Sequence, residues 1–341
     1  LYAPSKADSL TFILRDAEPF LVICTIPVFA SYFKNNRSKH ETYSQWFYMA
    51  SLFAVSTSIA SYLLTRDQGW TINSNFFRTP IFQLRGDQMA YASIPLFFHL
   101  AITFAGRKYS RLLTIIVFLT FLIVVPLRMN SRAVFLATLF SIMMLYLFIA
   151  TNYSASLAFN YFGLSILFAL VPVIFFSVKI PAISKFLAGV GLLKRDNNLD
   201  SVALTGFNTQ SARSAAWTQV IKYVNESGFL GINPGTNYVY DSGAFKFLSG
   251  SQDVRAPHNC WINIIARNGF VVGTMFIALI LVSCIVFAQV LISNTNNFFL
   301  WISFSICLTI LIVSTFGVVL ESPFGYIPFA SLGGYIASYR V

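Results

Sequence analysis

Residues that handle phosphate and protons recur at one kind of position in this chain. Arg132 follows Ser131 at the head of one apolar run, and His258 follows Pro257 at the head of another. Arg85, within Leu84-Arg-Gly-Asp-Gln88, stands just before a third. Arg213 lies in the one long polar insertion, with Trp217 a helical turn further on. Helix N-termini carry partial positive charge and unsatisfied N–H groups, so they favour anions. A guanidinium adds a planar fork that grips phosphate oxygens in pairs. Arg85, Arg132 and Arg213 could therefore clamp a phosphate-bearing substrate.

His258 suits a different task. The positive end of a helix dipole disfavours imidazolium, and a neutral imidazole can accept a proton as a general base. Asn259, Asn263 and Arg267 recur every four residues beyond it, which puts them on one helical stripe. An apolar helix does not carry such a stripe into lipid, so the stripe should face a cavity or the bundle interior. Plainer roles compete with each of these. Arg78, Arg85 and Arg128 could anchor helices by snorkelling to headgroups. Ser131 could cap a helix with Arg132 as its anchor, and His258 could simply hydrogen-bond a loop carbonyl. Tyr238, Tyr240, Phe245 and Phe247 could stack on sugar rings or form an interfacial aromatic belt. The joint placement of Arg132, Arg213 and His258 favours a site.

The elements that must position these groups are apolar. Hydrophobic residues make up 56% of the chain and charged residues 10%, against about 25% charged in soluble domains. Apolar runs lie at about 17–33, 45–64, 88–105, 111–127, 131–150, 157–178, 260–292, 298–319 and 323–339, each near the ~20 residues that span a bilayer. The expected fold is all-α: a polytopic transmembrane helical bundle of about nine spans with one large loop containing amphipathic helices. The expected division is 1–178, transmembrane helices with the Arg85 and Arg132 edge sites, then 179–257, the large loop, then 258–341, the C-terminal transmembrane helices. Within the loop, Trp217, Val220, Ile221 and Val224 predict an amphipathic helix over 213–224 lying on the membrane face, ended by the turn Gly231-Ile-Asn-Pro-Gly235. Gly269-Phe-Val-Val-Gly273 predicts close helix packing. Leu1 is not Met, and the expectation is that the natural N-terminus, with further helices, lies upstream.

Short loops set the orientation. Lys34, Arg37, Lys39, Arg107, Lys108 and Arg111 fall on one side with Glu41 as their only acid. That side is read as cytoplasmic, which leaves 179–257 outside. The net charge of +11 is dispersed rather than clustered among aromatics, which argues against nucleic acid and for anionic lipid or a phosphate-bearing substrate. The four cysteines have no metal or CxxC spacing and read as free thiols. No zinc-protease, nucleotide-loop or nucleophile-elbow motif is present, so no metal and no cofactor is expected.

An Arg with Trp four residues on, a Gly-x-x-Pro-Gly turn, and His-Asn entering a helix with spaced glycines together resemble the O-antigen ligase and polymerase superfamily. Ser131-Arg132-Ala133 is similar to a second motif of that family, and Leu84-Arg85-Gly86 weakly resembles a third. The resemblance covers about 80–290. It implies a multi-pass glycosyltransferase of the bacterial inner membrane with its active site facing the periplasm. It implies an undecaprenyl-diphosphate-linked oligosaccharide donor and, as acceptor, lipid A-core for a ligase or a second lipid-linked glycan for a polymerase. On this resemblance Arg132, Arg213 and Arg85 bind the diphosphate, and His258 is the catalytic base. Asn259, Asn263 and Trp217 support them. The expected reaction is metal-independent and inverting, of ligase type, with transfer to a protein hydroxyl as a further enzyme option. A transporter or flippase of a lipid-linked anion is the rival from another class, although the paired halves and broken mid-membrane helices of transporters are not evident here.

Overall fold

The computed structural model describes residues 21–22, 24–36, 40–65, 91–99, 132–153, 155, 201–227, 230–231, 238–239, 253–254, 259–315 and 323–340. Helices stand on seven of the nine apolar runs, in whole or in part. The runs at 111–127 and 157–178 lie outside the described residues. The labelled helices are α1 (Ile26–Asn35), α2 (His40–Thr65), α3 (Arg132–Asn152), α4 (Ser201–Glu226), α5 (Cys260–Ser293), α6 (Phe298–Ser314) and α7 (Pro323–Arg340). Two two-residue strands, β1 (Tyr238–Val239) and β2 (Asp253–Val254), pair antiparallel with Tyr238 opposite Val254. They close the segment between α4 and α5, and the remainder of the described secondary structure is helical.

The chain divides into two compact units. One comprises Leu1–Asn35, Lys194–Val290 and Ile310–Val341, the other Asn36–Leu193 and Leu291–Thr309. In the second unit the interior is aromatic. Phe148 of α3 meets Phe98, Phe298 and Trp301 with centroids 5.4, 5.6 and 5.6 Å away. Such tilted and edge-on pairs add about 0.5–1.5 kcal/mol each beyond burial. Trp301 donates its indole N–H to Thr295 O at 2.7 Å, so the ring buries without losing its hydrogen bond. Small hydroxyls fill the remaining contacts. Ser51 donates to Ala92 O, and Ser141 lies 3.4 Å from Thr309 Oγ1. Small hydroxyl side chains of this kind let neighbouring helices approach closely.

In the first unit, α1 packs on α7 through a glycine notch. A Cβ on Gly334 would lie 2.3 Å from Phe29 Cβ, so only glycine admits that approach. The neighbouring Phe33 is buried edge-on against Tyr335 at 5.2 Å. The Gly-rich character of the last apolar run thus has a local cause: the backbone of α1 lies against it.

Among the described residues, one helix, Cys260–Ser293, is long and apolar enough to cross a membrane. Its 34 residues would measure about 51 Å if straight, well beyond the ~30 Å hydrocarbon core. The helix is not straight. Gly269 has φ 78° and ψ 167°, a backbone region essentially restricted to glycine. Beyond it the chain bends so sharply that a Cβ on Gly273 would lie 2.6 Å from Ile265 Cα. In a straight helix those residues would sit about 12 Å apart. α5 is therefore an elbow: a short arm, 260–268, and a long arm, 270–293, of about 36 Å. This corrects the expectation of one continuous span over 260–292, and with it the reading that no apolar run is broken. It also redefines Gly269 and Gly273. The pair does serve close packing, but of the two arms of one broken helix, because Gly269 breaks the helix between them.

Candidate functional site

The short arm starts with a cap. Asn259 Oδ1 accepts from the N–H groups of Trp261 and Ile262 at 3.0 and 3.1 Å. Its carbonyl accepts the first intrahelical bond, from Asn263 at 3.0 Å. Such a cap satisfies the otherwise orphaned amides of a first turn and typically contributes about 1 kcal/mol. The side chain predicted to support catalysis is thus engaged in starting the helix that follows His258. At the arm's other end, Asn268 Nδ2 donates to Ile264 O at 2.9 Å, which satisfies a carbonyl beside the elbow.

The polar stripe is enclosed. Asn259, Asn263 and Arg267 are 9%, 6% and 6% exposed, as the four-residue spacing in an apolar segment predicts. They run about 12 Å along the short arm. The stripe therefore belongs to the buried arm and ends before the apolar long arm begins.

α4 is the second element. It is longer than the 213–224 stretch expected from periodicity, and its apolar face is buried against protein. Ala216, Val220 and Val224 are buried with Ala266, and Tyr223, Ile262 and Ile265 pack around them. Burial of a Val side chain contributes about 1.5–3 kcal/mol. This corrects the expectation that the face lies on the membrane. Ile221, which was grouped with it, is 52% exposed, because it sits a quarter turn away from Val220.

Arg213 shares the packed face, since 213, 216, 220 and 224 align at helical spacing. It is half-buried, as is Trp217 one turn on. The direction of α4 follows from the turn after it. Ser227 donates to Val224 O at 2.8 Å and accepts from Gly231 N–H at 3.1 Å, which ties Gly231 to the C-terminal end of α4. Gly231 also lies on Gly269 and Ala266: a Cβ there would come 2.4 Å from Gly269 N and 2.7 Å from Ala266 O. The end of α4 thus meets the elbow. Its packed face, with Ala216, Val220 and Val224, lies against Ile262, Ile265 and Ala266 of the short arm, and Arg213 stands about one turn before Ala216 on that face.

The other predicted residues are placed less fully. Arg132 is the first residue of α3, as its position after Ser131 suggested, and belongs to the other compact unit. Its side chain, together with Arg85 and His258, lies outside the described residues. So do Tyr240, Phe245 and Phe247. All four cysteines are free thiols. Among the described residues, no three His, Cys, Asp or Glu side chains gather as metal ligands. The exposed Lys222–Glu226 pair, 3.6 Å apart on α4, is an ordinary surface pair worth a few tenths of a kcal/mol. Sequence reasoning missed Gly231 and Ser227 as parts of this arrangement. Gly231 was visible only as the first residue of a turn, and nothing local names the backbone it touches.

Residues 115–277, just under half of the chain, match the family model described as O-antigen ligase, and the match supports the resemblance to the O-antigen ligase/polymerase superfamily. It supports an enzyme of the transferase kind that handles lipid-linked glycans. The matched stretch includes α3, α4, the short arm, Arg132, Arg213 and His258; Arg85 falls outside it. No curated protein and no solved structure matches the chain.

Proposed function

We propose, with the O-antigen ligase/polymerase superfamily as premise, that the chain is a metal-independent inverting glycosyltransferase of O-antigen ligase type. It would move a glycan from undecaprenyl diphosphate to a sugar hydroxyl of lipid A-core. It would be a multi-pass protein of the bacterial inner membrane, with the 179–257 loop and the active site on the periplasmic side and about nine spans. The observation that carries the reading is the O-antigen ligase match over a stretch that contains Arg132, Arg213 and His258 together.

The chemistry assigned to these residues is as follows. His258 takes the proton of the acceptor hydroxyl as its oxygen attacks the anomeric carbon. The bond from that carbon to the diphosphate oxygen breaks on the opposite face, so the configuration inverts. Arg132 and Arg213, with Arg85 as the outermost candidate, stabilise charge on the departing diphosphate through paired hydrogen bonds. The proton remains on His258 until it passes to solvent. The placement of Arg213 on the α4 face that packs against the short arm supports this reading, since it puts a cation on a helix fixed to the arm that follows His258 in sequence.

The test is reconstitution of the purified chain in lipid with a lipid-linked oligosaccharide and two acceptors, core lipid and a second lipid-linked unit. Extension of core lipid is the expected result. Extension of the lipid-linked unit would replace ligase by polymerase, and transmembrane movement of the donor without transfer would replace both by a transporter. In the same assay His258→Ala should lower transfer by about 10²–10⁴-fold in folded protein. Unchanged transfer would remove His258 from the mechanism.

A further inference from the structure

Two features meet behind the candidate site. Gly231 has φ 82° and Gly269 has φ 78°, and the two are in backbone contact. A Cβ on Gly231 would lie 2.4 Å from Gly269 N, 2.7 Å from Ala266 O and 2.9 Å from Gly269 Cα. All three are backbone atoms, so no side chain can swing aside to make room. The contact joins the C-terminal end of α4 to the far end of the short arm, and the same α4 carries Arg213 on its packed face.

We propose that the Gly231–Gly269 junction is a positioning joint for the transfer reaction, holding the helix that carries Arg213 in register with the arm that follows His258. The inference rests on the transferase reading above. Ordinary van der Waals contact begins near 3.4 Å, so a methyl group at 231 must push the two backbones apart by about 1 Å. Displacement of catalytic groups by about 1 Å can cost about 10²-fold in rate. The joint lies at the opposite end of the arm from Asn259 and touches none of the groups assigned to substrate, so it acts through the register of the two helices, and with it the position of Arg213. A defect there should lower turnover more than donor affinity.

The experiment uses the full chain in lipid nanodiscs with the lipid-linked donor and whichever acceptor the wild-type protein extends. Turnover, donor affinity, thermal stability and amide exchange over 260–270 are measured for Gly231→Ala, Gly231→Asn, Ser227→Ala and Val224→Ala. Gly231→Ala should lower kcat about 10–100-fold, weaken donor Kd by a smaller factor, and raise exchange in the short arm. Gly231→Asn tolerates positive φ but carries a Cβ, so it should fail alike. Ser227→Ala removes the acceptor of the Gly231 N–H without adding an atom, and should lower kcat about threefold. Val224→Ala is the packing control: it should lower Tm and keep kcat. The joint is refuted if Gly231→Ala turns over within twofold of wild type, or if kcat merely tracks Tm across all four variants. Should Gly231→Ala not fold, unchanged kcat and exchange in Ser227→Ala refute it. Should the wild-type chain transfer nothing, the transferase reading fails, and the exchange comparison alone judges the joint.

Discussion

The two arms of α5 are continuous in sequence and opposite in surroundings. On the short arm Asn259, Asn263 and Arg267 are buried, and so are Cys260, Ile264 and Ala266. On the long arm Phe270, Val271, Val272, Met275, Leu279, Leu281, Val282 and Ile285 are all at least half exposed. Polar groups inside and large apolar groups outside is the inverse of a water-soluble helix. The long arm therefore has the character of a segment solvated by lipid, and the short arm that of a protein-enclosed helix. The residue between them, Gly269, permits both in one element by breaking the backbone at a conformation other residues avoid.

The contrast can be broken at several points. The largest effect is expected from Leu281→Arg, at a position 53% exposed. In lipid an arginine near mid-helix costs about 2.5–3.5 kcal/mol, so the inserted, folded fraction should fall sharply. An effect no larger than about 0.5 kcal/mol, usual for a water-exposed position, would place the long arm outside the bilayer. Next comes Gly269→Ala, which forces an L side chain into a glycine-only conformation at about 1–3 kcal/mol. Thermal unfolding in nanodiscs should show that loss, and an unshifted Tm would mean the elbow straightens without penalty. Asn259→Ala removes the cap of the short arm and should cost about 1 kcal/mol, while Asn259→Ser, which can still cap, should recover most of it. If Ser fails as badly as Ala, Asn259 has a role beyond capping. Smallest is Lys222→Ala on the solvated side of α4, with a side chain 71% exposed. Removing its pairing with Glu226 should shift stability by no more than about 0.5 kcal/mol.

Much of this was legible locally. Periodicity and run length locate α3 from 132 and α5 from 260 to within a residue or two, because those boundaries follow from where apolar stretches start and polar ones stop. The burial of Asn259, Asn263 and Arg267 was equally legible, since a polar stripe on an apolar helix has few stable alternatives. The helix through Arg213 was legible on its apolar side, but what covers that side was not. Trp217, Val220 and Val224 fit a membrane surface or a protein partner equally well, and only Ile262, Ile265 and Ala266 decide for protein.

By itself, then, the sequence determines a helical, apolar chain, the boundaries of its best-formed helices, a buried polar stripe after His258, and the residues that carry the resemblance to the O-antigen ligases. These depend on composition and on spacing along one helix, which are local properties. The tertiary structure alone decides that Gly269 is an elbow, that Gly231 and Gly273 lie on backbone of the short arm, and that Gly334 admits Phe29 of α1. A glycine can serve a tight turn, a helix break or a close approach, and its identity is the same in each. Only the distant backbone that comes to lie against it, fixed by the packing of the whole unit, selects which of these it becomes.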